Sequence, residues 1–188
     1  CLSMRESEVR KKIIDTAARL FHGQGYNATG INQIIAEAKV AKRSLYQHFE
    51  SKTDLLIAYL DQFQDNWYAT IHVYLADMEN PNERVLALFD FRIFYQEKHL
   101  FPGCPFSKIN AEVGFDQERI NLRVQQGKNV FKEFILNLVK DAVHKEMLND
   151  QEFADMIFLI IEGALISTSI YKSTDDLKNG KLLVAKFL

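Results

Sequence analysis

Cysteine is scarce in this 188-residue chain, and its scarcity excludes several kinds of site. Two cysteines, Cys1 and Cys104, are too few for a disulfide framework or for a zinc site with the usual four ligands. The sequence also lacks a phosphate-binding glycine loop and a nucleophile elbow. We therefore expect neither a metal nor another cofactor.

Long apolar runs are missing as well. No uninterrupted run approaches the roughly 20 residues that span a bilayer, so we expect no membrane partner. The first residues, CLSMRESEVRKK, carry charge without the apolar core of a signal peptide. This pattern favours a cytoplasmic protein.

What the chain does contain is apolar residues at helical spacing. Hydrophobic residues make up 47% of the chain and aromatic residues 12%, enough for a real core and far from the composition of disorder. The glycines and prolines fall between the periodic segments rather than inside them. The sequence therefore predicts an all-α protein. Beyond residue 80, helices are expected over about 81–99, 106–113, 116–146 and 151–171, followed by a weaker helix over 174–188 that Gly180 interrupts.

Three further helices are predicted before residue 50. The first ends at Gly23–Gly25, after an apolar stripe that includes Ile13 and Phe21. The second has isoleucine and alanine at helical spacing, with Thr29 placed to cap its start. In the third, Ala41, Leu45 and Phe49 are spaced by fours and face inward together.

A longer helix follows at once. Ser51 and Asp54 form a capping-box pattern, and this helix is expected to run to about Ala76.

Charge is distributed unevenly between the two ends of the chain. Residues 1–52 contain nine Lys and Arg against five Asp and Glu, a net formal charge of +4, whereas the whole chain carries −2. A basic head on an acidic body is the pattern expected when one end binds a polyanion, although an ordinary solvated surface has a similar balance.

The two short helices are separated by the three-residue turn Lys39–Ala41, which predicts a helix-turn-helix unit. Arg and Gln on such a helix read base edges, while Lys, Ser, Tyr and His bind phosphates. Lys52 opposes the dipole of the long helix unless an anion such as a DNA phosphate docks there. The predicted DNA-binding residues are Thr29, Lys42, Arg43, Ser44, Tyr46, Gln47, His48 and Lys52. A polar helix face that is merely solvated is the alternative.

The run GYNATGINQIIAEAKVAKRSLYQHFESKTDLL, residues 25–56, resembles the DNA-binding signature of the TetR family of bacterial transcriptional regulators. The matching positions are Gly25, Tyr26, Thr29, Ile34, Ala38, Val40, Leu45, Tyr46, His48, Phe49, Lys52 and Leu55. Two positions depart from the pattern. Lys39 replaces a turn glycine and must adopt a left-handed backbone, and Arg43 replaces a glycine in the third helix.

The resemblance implies a division into a DNA-binding domain, residues 1–52, and a helical effector-binding and dimerisation domain, residues 53–188. It implies a homodimer that binds a near-palindromic double-stranded operator. It also implies a small-molecule effector of unknown identity that releases the DNA, with repression as the common outcome.

The helix predicted over 151–171 carries a broad apolar stripe. Gly163 next to Ala164 would permit close approach of a partner helix. The predicted dimer interface consists of Phe153, Ile157, Ile161, Ala164 and Leu165. Core packing within one subunit is the alternative reading of this stripe.

Aromatic residues crowd the body of the sequence and, with a few polar groups, suit a concave ligand site. The predicted effector-binding residues are Trp67, Phe91, Phe94, Tyr95, Cys104, Phe106, Asn110, Phe131 and Phe158. An aromatic or lipophilic effector is expected.

The segment GCPFSKINAE, residues 103–112, resembles one that recurs in a branch of the same family. There Cys104 would lie near a helix N-terminus, where the dipole and free N–H groups stabilise a thiolate. An electrophile or redox sensor is one interpretation, and a small buried apolar residue is the other.

Two other classes of function stay open. A helical metalloenzyme needs paired Glu-x-x-His motifs, and the chain offers only the imperfect half Asp141-Ala-Val-His144. We therefore expect no enzyme. A helical interaction module without DNA affinity is the remaining alternative.

Overall fold

The computed structural model describes residues 2–188, with side chains from residue 6 onward, so Cys1 lies outside the described residues. Over this range the chain is all-α, as predicted. The helices are α1 (Leu2–Gln24), α2 (Ile31–Ala38), α3 (Lys42–His48), α4 (Lys52–Leu75), α5 (Pro81–Lys98), α6 (Pro105–Glu112), α7 (Glu118–Asp141), α8 (Asp150–Tyr171) and α9 (Asp175–Ala185).

The helices pack as two compact units. Unit 1 runs to Asn66 and includes Pro105–Val124, and unit 2 comprises Trp67–Cys104 and Gln125–Leu188. Packing units and functional domains are different divisions of a chain. The predicted functional boundary between residues 52 and 53 stays a prediction.

Unit 1 is built on α1, which packs against α2 and α3. Ile13, Ala17 and Phe21 are buried along one face of α1, which confirms the predicted apolar stripe. The ring of Tyr26 meets that of Phe21 edge-on at 5.3 Å. The short connection after α1 is therefore fixed to the core of unit 1.

The turn between α2 and α3 depends on Lys39. Its backbone lies in the left-handed region, with φ 52° and ψ 46°, as the departure from the glycine pattern predicted. The N–H groups of Lys39 and Val40 donate to carbonyls in the last turn of α2. These bonds offset a conformational cost of roughly 1–2 kcal/mol for a residue with a Cβ.

The predicted cap of α2 is wrong. The N-cap residue is Gly30, and no side chain caps it. Thr29 lies one position earlier, is buried, and donates its hydroxyl hydrogen to the carbonyl of Gly25 at 2.6 Å. Its hydroxyl therefore closes the preceding turn. Ala41, expected to face inward, is also exposed, because it is the N-cap of α3.

The start of α4 matches the predicted cap more closely. The Asp54 N–H donates to Ser51 Oγ at 3.1 Å. The second half of the pattern is altered, because the Asp54 carboxylate accepts from the Ser51 hydroxyl at 2.6 Å. This cap joins α4 to the end of α3 with a very short connection.

In unit 2, α9 packs against α5 and α8. The prediction that Gly180 interrupts this last helix is wrong, because it lies inside α9. A Cβ there would come within 2.5 Å of Ile160 Cγ2 and 3.3 Å of Phe89. This glycine permits close helix packing. Gly127 in α7 and Gly163 in α8 also lie within helices, so the expectation that the glycines fall between the helices is wrong.

The connection after α5 is held from inside unit 2. Gln96 is fully buried, and its side-chain amide exchanges two hydrogen bonds with the backbone of Gly103. Leu100 and Phe101 both have φ of 60°, a left-handed conformation that strains residues with a Cβ. The Gln96 bonds therefore hold a strained loop that ends at Cys104.

Among the described helices, α8 alone is long and apolar enough to cross a membrane by length and composition, with a mean hydropathy of 1.8. Core helices of water-soluble proteins meet the same criteria. Phe153, Ile157 and Ile161 lie in the interior of unit 2. The composition of α8 is therefore weak evidence for a membrane span.

Candidate nucleic-acid interface and ligand site

One face of α3 presents the side chains predicted to bind DNA. Lys42, Arg43 and Gln47 are exposed, and Tyr46 is 42% exposed. Leu45 is fully buried beneath them. A helix seven residues long is thus anchored by one apolar side chain while its polar residues face solvent.

The remaining predicted DNA-binding residues are less accessible. Ser44, His48 and Lys52 are half-buried. Thr29 is 1% exposed and offers no surface for contact with a partner. The expectation that its side chain belongs to the DNA-binding surface is therefore wrong, because the buried hydroxyl donates to the Gly25 carbonyl within unit 1.

Lys52 forms its contacts within unit 1. Its Nζ donates to the Tyr26 carbonyl at 2.5 Å and lies 4.1 Å from the centroid of the Tyr26 ring. Burial lowers the pKa of Lys52, and the negative charge of Glu112 partly opposes this shift. The ammonium group therefore fastens the first turn of α4 to the connection between α1 and α2.

Glu112, at the end of α6, supports the same connection. Its carboxylate accepts from the Asn27 N–H at 3.0 Å, and its carbonyl accepts from the Asn27 side chain at 2.6 Å. Gly25 has φ 95°, and a Cβ on it would lie 2.9 Å from this carboxylate. The sequence interpretation did not assign this role, because Glu112 is 85 residues from Asn27.

The N-terminus of α2 lies beside an exposed glycine. Gly30 is exposed, the first turn carries no acidic residue, and no side-chain cap bonds its N–H groups. Free N–H groups and the positive end of the helix dipole attract anions such as phosphate. This end of α2 leaves its N–H groups uncapped, near the exposed cations that the sequence places on α3.

Unit 2 contains the aromatic cluster that the sequence predicted. Trp67, Phe91 and Phe131 are buried, and the Trp67 ring lies 5.5 Å from Phe91 and 5.7 Å from Phe131. Tyr95 and Phe158 are half-buried, and Phe158 lies 6.1 Å from Phe131. Trp67, Phe91, Phe131 and Phe158 therefore form one connected cluster of aromatic rings within unit 2.

Three predicted ligand residues lie elsewhere. Phe94 is 56% exposed on α5 and lies apart from the buried rings, so its role in a ligand site stays a prediction. Phe106 packs in unit 1, 6.2 Å from the ring of Phe63. Asn110 is exposed on the same short helix, α6.

Cys104 belongs to unit 2 and is half-buried. Its sulfur accepts a hydrogen bond from Lys128 Nζ at 3.3 Å. The same ammonium group is ion-paired with Glu162 at 2.5 Å. Cys104 thus lies in a polar part of unit 2 rather than in a purely apolar one.

The sequence interpretation missed Arg92. This residue is 8% exposed, and its guanidinium carbon lies 4.1 Å from the Trp67 ring and 4.5 Å from the Phe131 ring. A signal was present in the run FDFRIFY, where one cation interrupts a row of aromatic residues. Charged residues are rarely buried without a partner, so the pattern alone favoured a surface position.

The predicted dimer interface needs correction. Its five residues, all in α8, are at most 5% exposed and lie in the interior of unit 2: Phe153, Ile157, Ile161, Ala164 and Leu165. A buried side chain cannot form the contact surface of a second subunit. The alternative reading of this stripe, core packing, is correct.

A different face of α8 is exposed. Leu159, Ile166 and Ile170 are 68%, 55% and 64% exposed, respectively. Gly163 lies on the same face, and a Cβ there would meet no atom within 4 Å. This apolar face is therefore largely exposed to solvent.

Metal-ligating residues do not cluster in the part of the chain that the structure describes. His144, which formed half of a possible metal motif, instead bonds the Asp150 carboxylate at 2.9 Å. Its ring packs 4.9 Å from Phe153. This histidine joins the start of α8 to the preceding loop.

Two family models match the chain. Residues 13–59 match bacterial regulatory proteins of the tetR family, and residues 81–181 match the tetracyclin repressor-like C-terminal domain. The HTH-type transcriptional regulator YxaF of Bacillus subtilis is 53% identical over 189 residues, which cover 94% of this chain and 91% of YxaF. LmrA of the same organism is 26% identical, over 93% of each chain. The similarity to YuxN is local, 40% over 68 residues, and spans 23% of YuxN.

Solved structures share the fold. The reduced form of Escherichia coli NemR has a TM-score of 0.82 at 20% identity, covering 96% of each chain. A regulator from Agrobacterium tumefaciens has a TM-score of 0.85 at 16% identity, over 97% of this chain and 98% of its own. This family and fold are those of transcription regulators rather than enzymes. The chain belongs to the TetR family of DNA-binding transcriptional regulators.

Proposed function

We propose that this protein is a ligand-responsive repressor, which binds a near-palindromic operator as a homodimer and is released by a small aromatic or lipophilic effector. The observation that carries the proposal is the face of α3. Buried Leu45 orients it, and Lys42, Arg43 and Gln47 are exposed on its outer side. Arg43 and Gln47 have the donors and acceptors that read base edges in the major groove.

Phosphate contacts fix the register of the recognition helix. Lys42 supplies an exposed cation, and the uncapped start of α2 supplies free N–H groups. Lys52 acts mainly by holding the connection that contains Tyr26, and thereby positions α2. We assign Tyr46, Ser44 and His48 to the same surface in supporting roles.

The dimer forms through the outer face of α8, which contains Leu159, Gly163, Ile166 and Ile170. A helix-turn-helix monomer reads too few bases for useful specificity, and a two-fold dimer presents two recognition helices about 34 Å apart. The exposed apolar side chains support this assignment, since large apolar patches mark interaction surfaces.

The effector binds in unit 2, against the ring cluster of Trp67, Phe91 and Phe131. Helix α4 transmits the event, because its residues up to Asn66 belong to unit 1 and those from Trp67 belong to unit 2. A shift of α4 changes the spacing of the recognition helices in the dimer. Linkage requires DNA to weaken effector binding by the same factor, typically about 5 to 150-fold.

A thiol-based sensor is the second candidate. Cys104 accepts a hydrogen bond from Lys128, and a structural relative, NemR, is described in a reduced form. If Cys104 is the sensor, alkylation releases DNA from the wild type and leaves a Cys104→Ser protein bound. Equal release of both proteins assigns Cys104 to packing.

The place of action is the cytoplasm, where a regulator meets chromosomal DNA. The buried face of α8 supports a role in the protein core rather than in a membrane.

The proposal is tested by selecting duplexes from a randomised DNA pool and comparing the selected sequences. Arg43→Ala and Gln47→Ala each relax the preference at one position per half-site, by about 1–3 kcal/mol for a lost bidentate contact. Lys178→Ala, an exposed cation in unit 2, is the control and leaves the preference unchanged. Selected sequences identical to those of the wild type for both α3 variants would remove α3 from base recognition.

A further inference from the structure

Arg92 is a buried cation that contacts two aromatic rings. Its guanidinium carbon lies 4.1 Å from the Trp67 ring and 4.5 Å from the Phe131 ring, and the residue is 8% exposed. Contacts of this kind attract a cation, but they do not satisfy the hydrogen-bond donors at the edge of the guanidinium plane.

Two neighbouring donors lack acceptors. Arg92 Nε and Trp67 Nε1 are buried without a hydrogen-bond partner. Among side chains from residue 6 onward, Arg92 forms neither a hydrogen bond nor an ion pair. Buried polar groups are nearly always paired, and a buried charge without a partner opposes folding. The buried charge of Arg92 is therefore not explained by a contribution to folding stability.

The charges around Arg92 do not balance. The groups that act electrostatically on Arg92 are Cys104 first and then Glu162, and Glu162, the carboxylate among them, already pairs with Lys128 at 2.5 Å. Tyr68 supplies no negative charge at neutral pH, because burial raises its pKa to about 12. Burial also raises the pKa of Tyr95. Two cations thus share one carboxylate in this part of unit 2.

We propose that the effector of this protein is an aromatic anion, whose acidic oxygen group accepts hydrogen bonds from Arg92. Its ring packs beside Trp67 and Phe131. A guanidinium group binds carboxylate and similar oxygen anions through two parallel N–H bonds, which also fix the orientation of the ligand. The inference rests on the proposed function, in which unit 2 binds a small effector.

The test uses two fluorescent probes that differ by one charged group: anionic 1-anilinonaphthalene-8-sulfonate and neutral N-phenyl-1-naphthylamine. Trp67 is the single tryptophan of the chain and lies beside Arg92, so energy transfer from it reports probe binding and the Arg92 variants localise the bound probe. The proteins are the wild type, Arg92→Met, Arg92→Lys and Lys132→Met. Lys132 is an exposed cation 4.7 Å from the Phe158 ring, and its variant is the matched control.

The wild type and Lys132→Met are expected to bind the anionic probe more tightly than the neutral one. Arg92→Met lowers affinity for the anionic probe by about tenfold or more and changes that for the neutral probe less than about twofold. Arg92→Lys, which keeps the charge and loses the fork, is intermediate. The melting temperature of Arg92→Met is unchanged or higher, because a buried unpaired charge has been removed.

Other results overturn the inference. Equal loss of both probes in Arg92→Met, with a lower melting temperature, shows a packing role for Arg92. An unchanged ratio of affinities in Arg92→Met removes Arg92 from anion recognition. If both probes bind equally and release DNA, the ligand-responsive function stands and the charge assignment fails. If the wild type binds neither probe, this aromatic site and its anion specificity both fail, while DNA binding through α3 is untouched.

Discussion

Lys52 in unit 1 and Arg92 in unit 2 are both cations placed over aromatic rings. The Lys52 ammonium lies 4.1 Å from the Tyr26 ring, and the Arg92 guanidinium carbon lies 4.1 Å from the Trp67 ring. They differ in their hydrogen bonds. Lys52 donates to the Tyr26 carbonyl, whereas Arg92 Nε has no acceptor.

This difference teaches how the same contact serves two purposes. In unit 1, the Lys52 ammonium contacts both the ring and the carbonyl of Tyr26, and the result is a fixed connection between helices. In unit 2, the buried Nε–H donor of Arg92 has no acceptor. A satisfied cation over a ring stabilises the fold, and an unsatisfied one favours binding of an anion.

The largest expected effect tests the contrast between the buried and exposed faces of α8. Phe153→Ala removes a fully buried ring and lowers the free energy of unfolding by about 3–5 kcal/mol. Leu159→Ala, on the exposed face of the same helix, is expected to change that free energy of the protomer little and to weaken the proposed dimer. Urea denaturation and sedimentation velocity measure the two effects. A small loss for Phe153→Ala, with dissociation of the dimer, would restore the original interface assignment.

The comparison between Lys52 and Arg92 predicts a smaller effect of opposite sign. Lys52→Met loses a charged hydrogen bond and a cation–ring contact, and unfolding becomes easier by about 1–2 kcal/mol. Arg92→Met leaves the free energy of unfolding unchanged or raises it. Denaturation at several protein concentrations separates these values from dimer effects. If Arg92→Met is the less stable variant, the contrast between the two sites is lost.

The smallest effect concerns the cap of α4. Ser51→Ala removes the acceptor of the Asp54 N–H and costs about 1 kcal/mol. The Ser51 hydrogen bond, and then Arg119, hold the pKa of Asp54 below its ordinary value of 3.8. This contribution is present at neutral pH and is lost as the pH falls below 3.8 through the folded-state pKa. Acid titration of the variant, followed by circular dichroism, is expected to show a weaker pH dependence, and an unchanged curve would contradict the cap.

Local patterns predicted the turn and the cap near the recognition helix of unit 1, because short-range geometry determines both. The left-handed Lys39 follows from a turn that usually requires glycine, and the Ser51 cap follows from spacing alone. Thr29 was misassigned because threonine caps helices and also closes turns, and its sequence position does not distinguish the two. Glu112 was missed because it reaches Asn27 from a distant helix.

Periodicity predicted the helices of the body but not what each face contacts. The stripe of α8 containing Phe153 and Ile161 packs inside the protomer, and the face containing Leu159 and Ile166 is exposed. Both faces are apolar, so helical spacing cannot assign one to the core. Arg92 was not placed for a different reason, since charged residues are rarely buried without a partner and the pattern therefore favoured a surface position.

The salt dependence of DNA binding tests the central claim most directly, that the outer face of α3 binds duplex DNA. Fluorescence anisotropy measures the affinity of a selected duplex between about 50 and 200 mM salt, where each released counterion steepens the decrease. We predict a linear decrease of log K with log salt for the wild type, and a slope shallower by about 1 for Lys42→Ala. Lys178→Ala leaves the slope unchanged. A wild-type slope near zero, or equal slopes for Lys42→Ala and the wild type, would contradict the account.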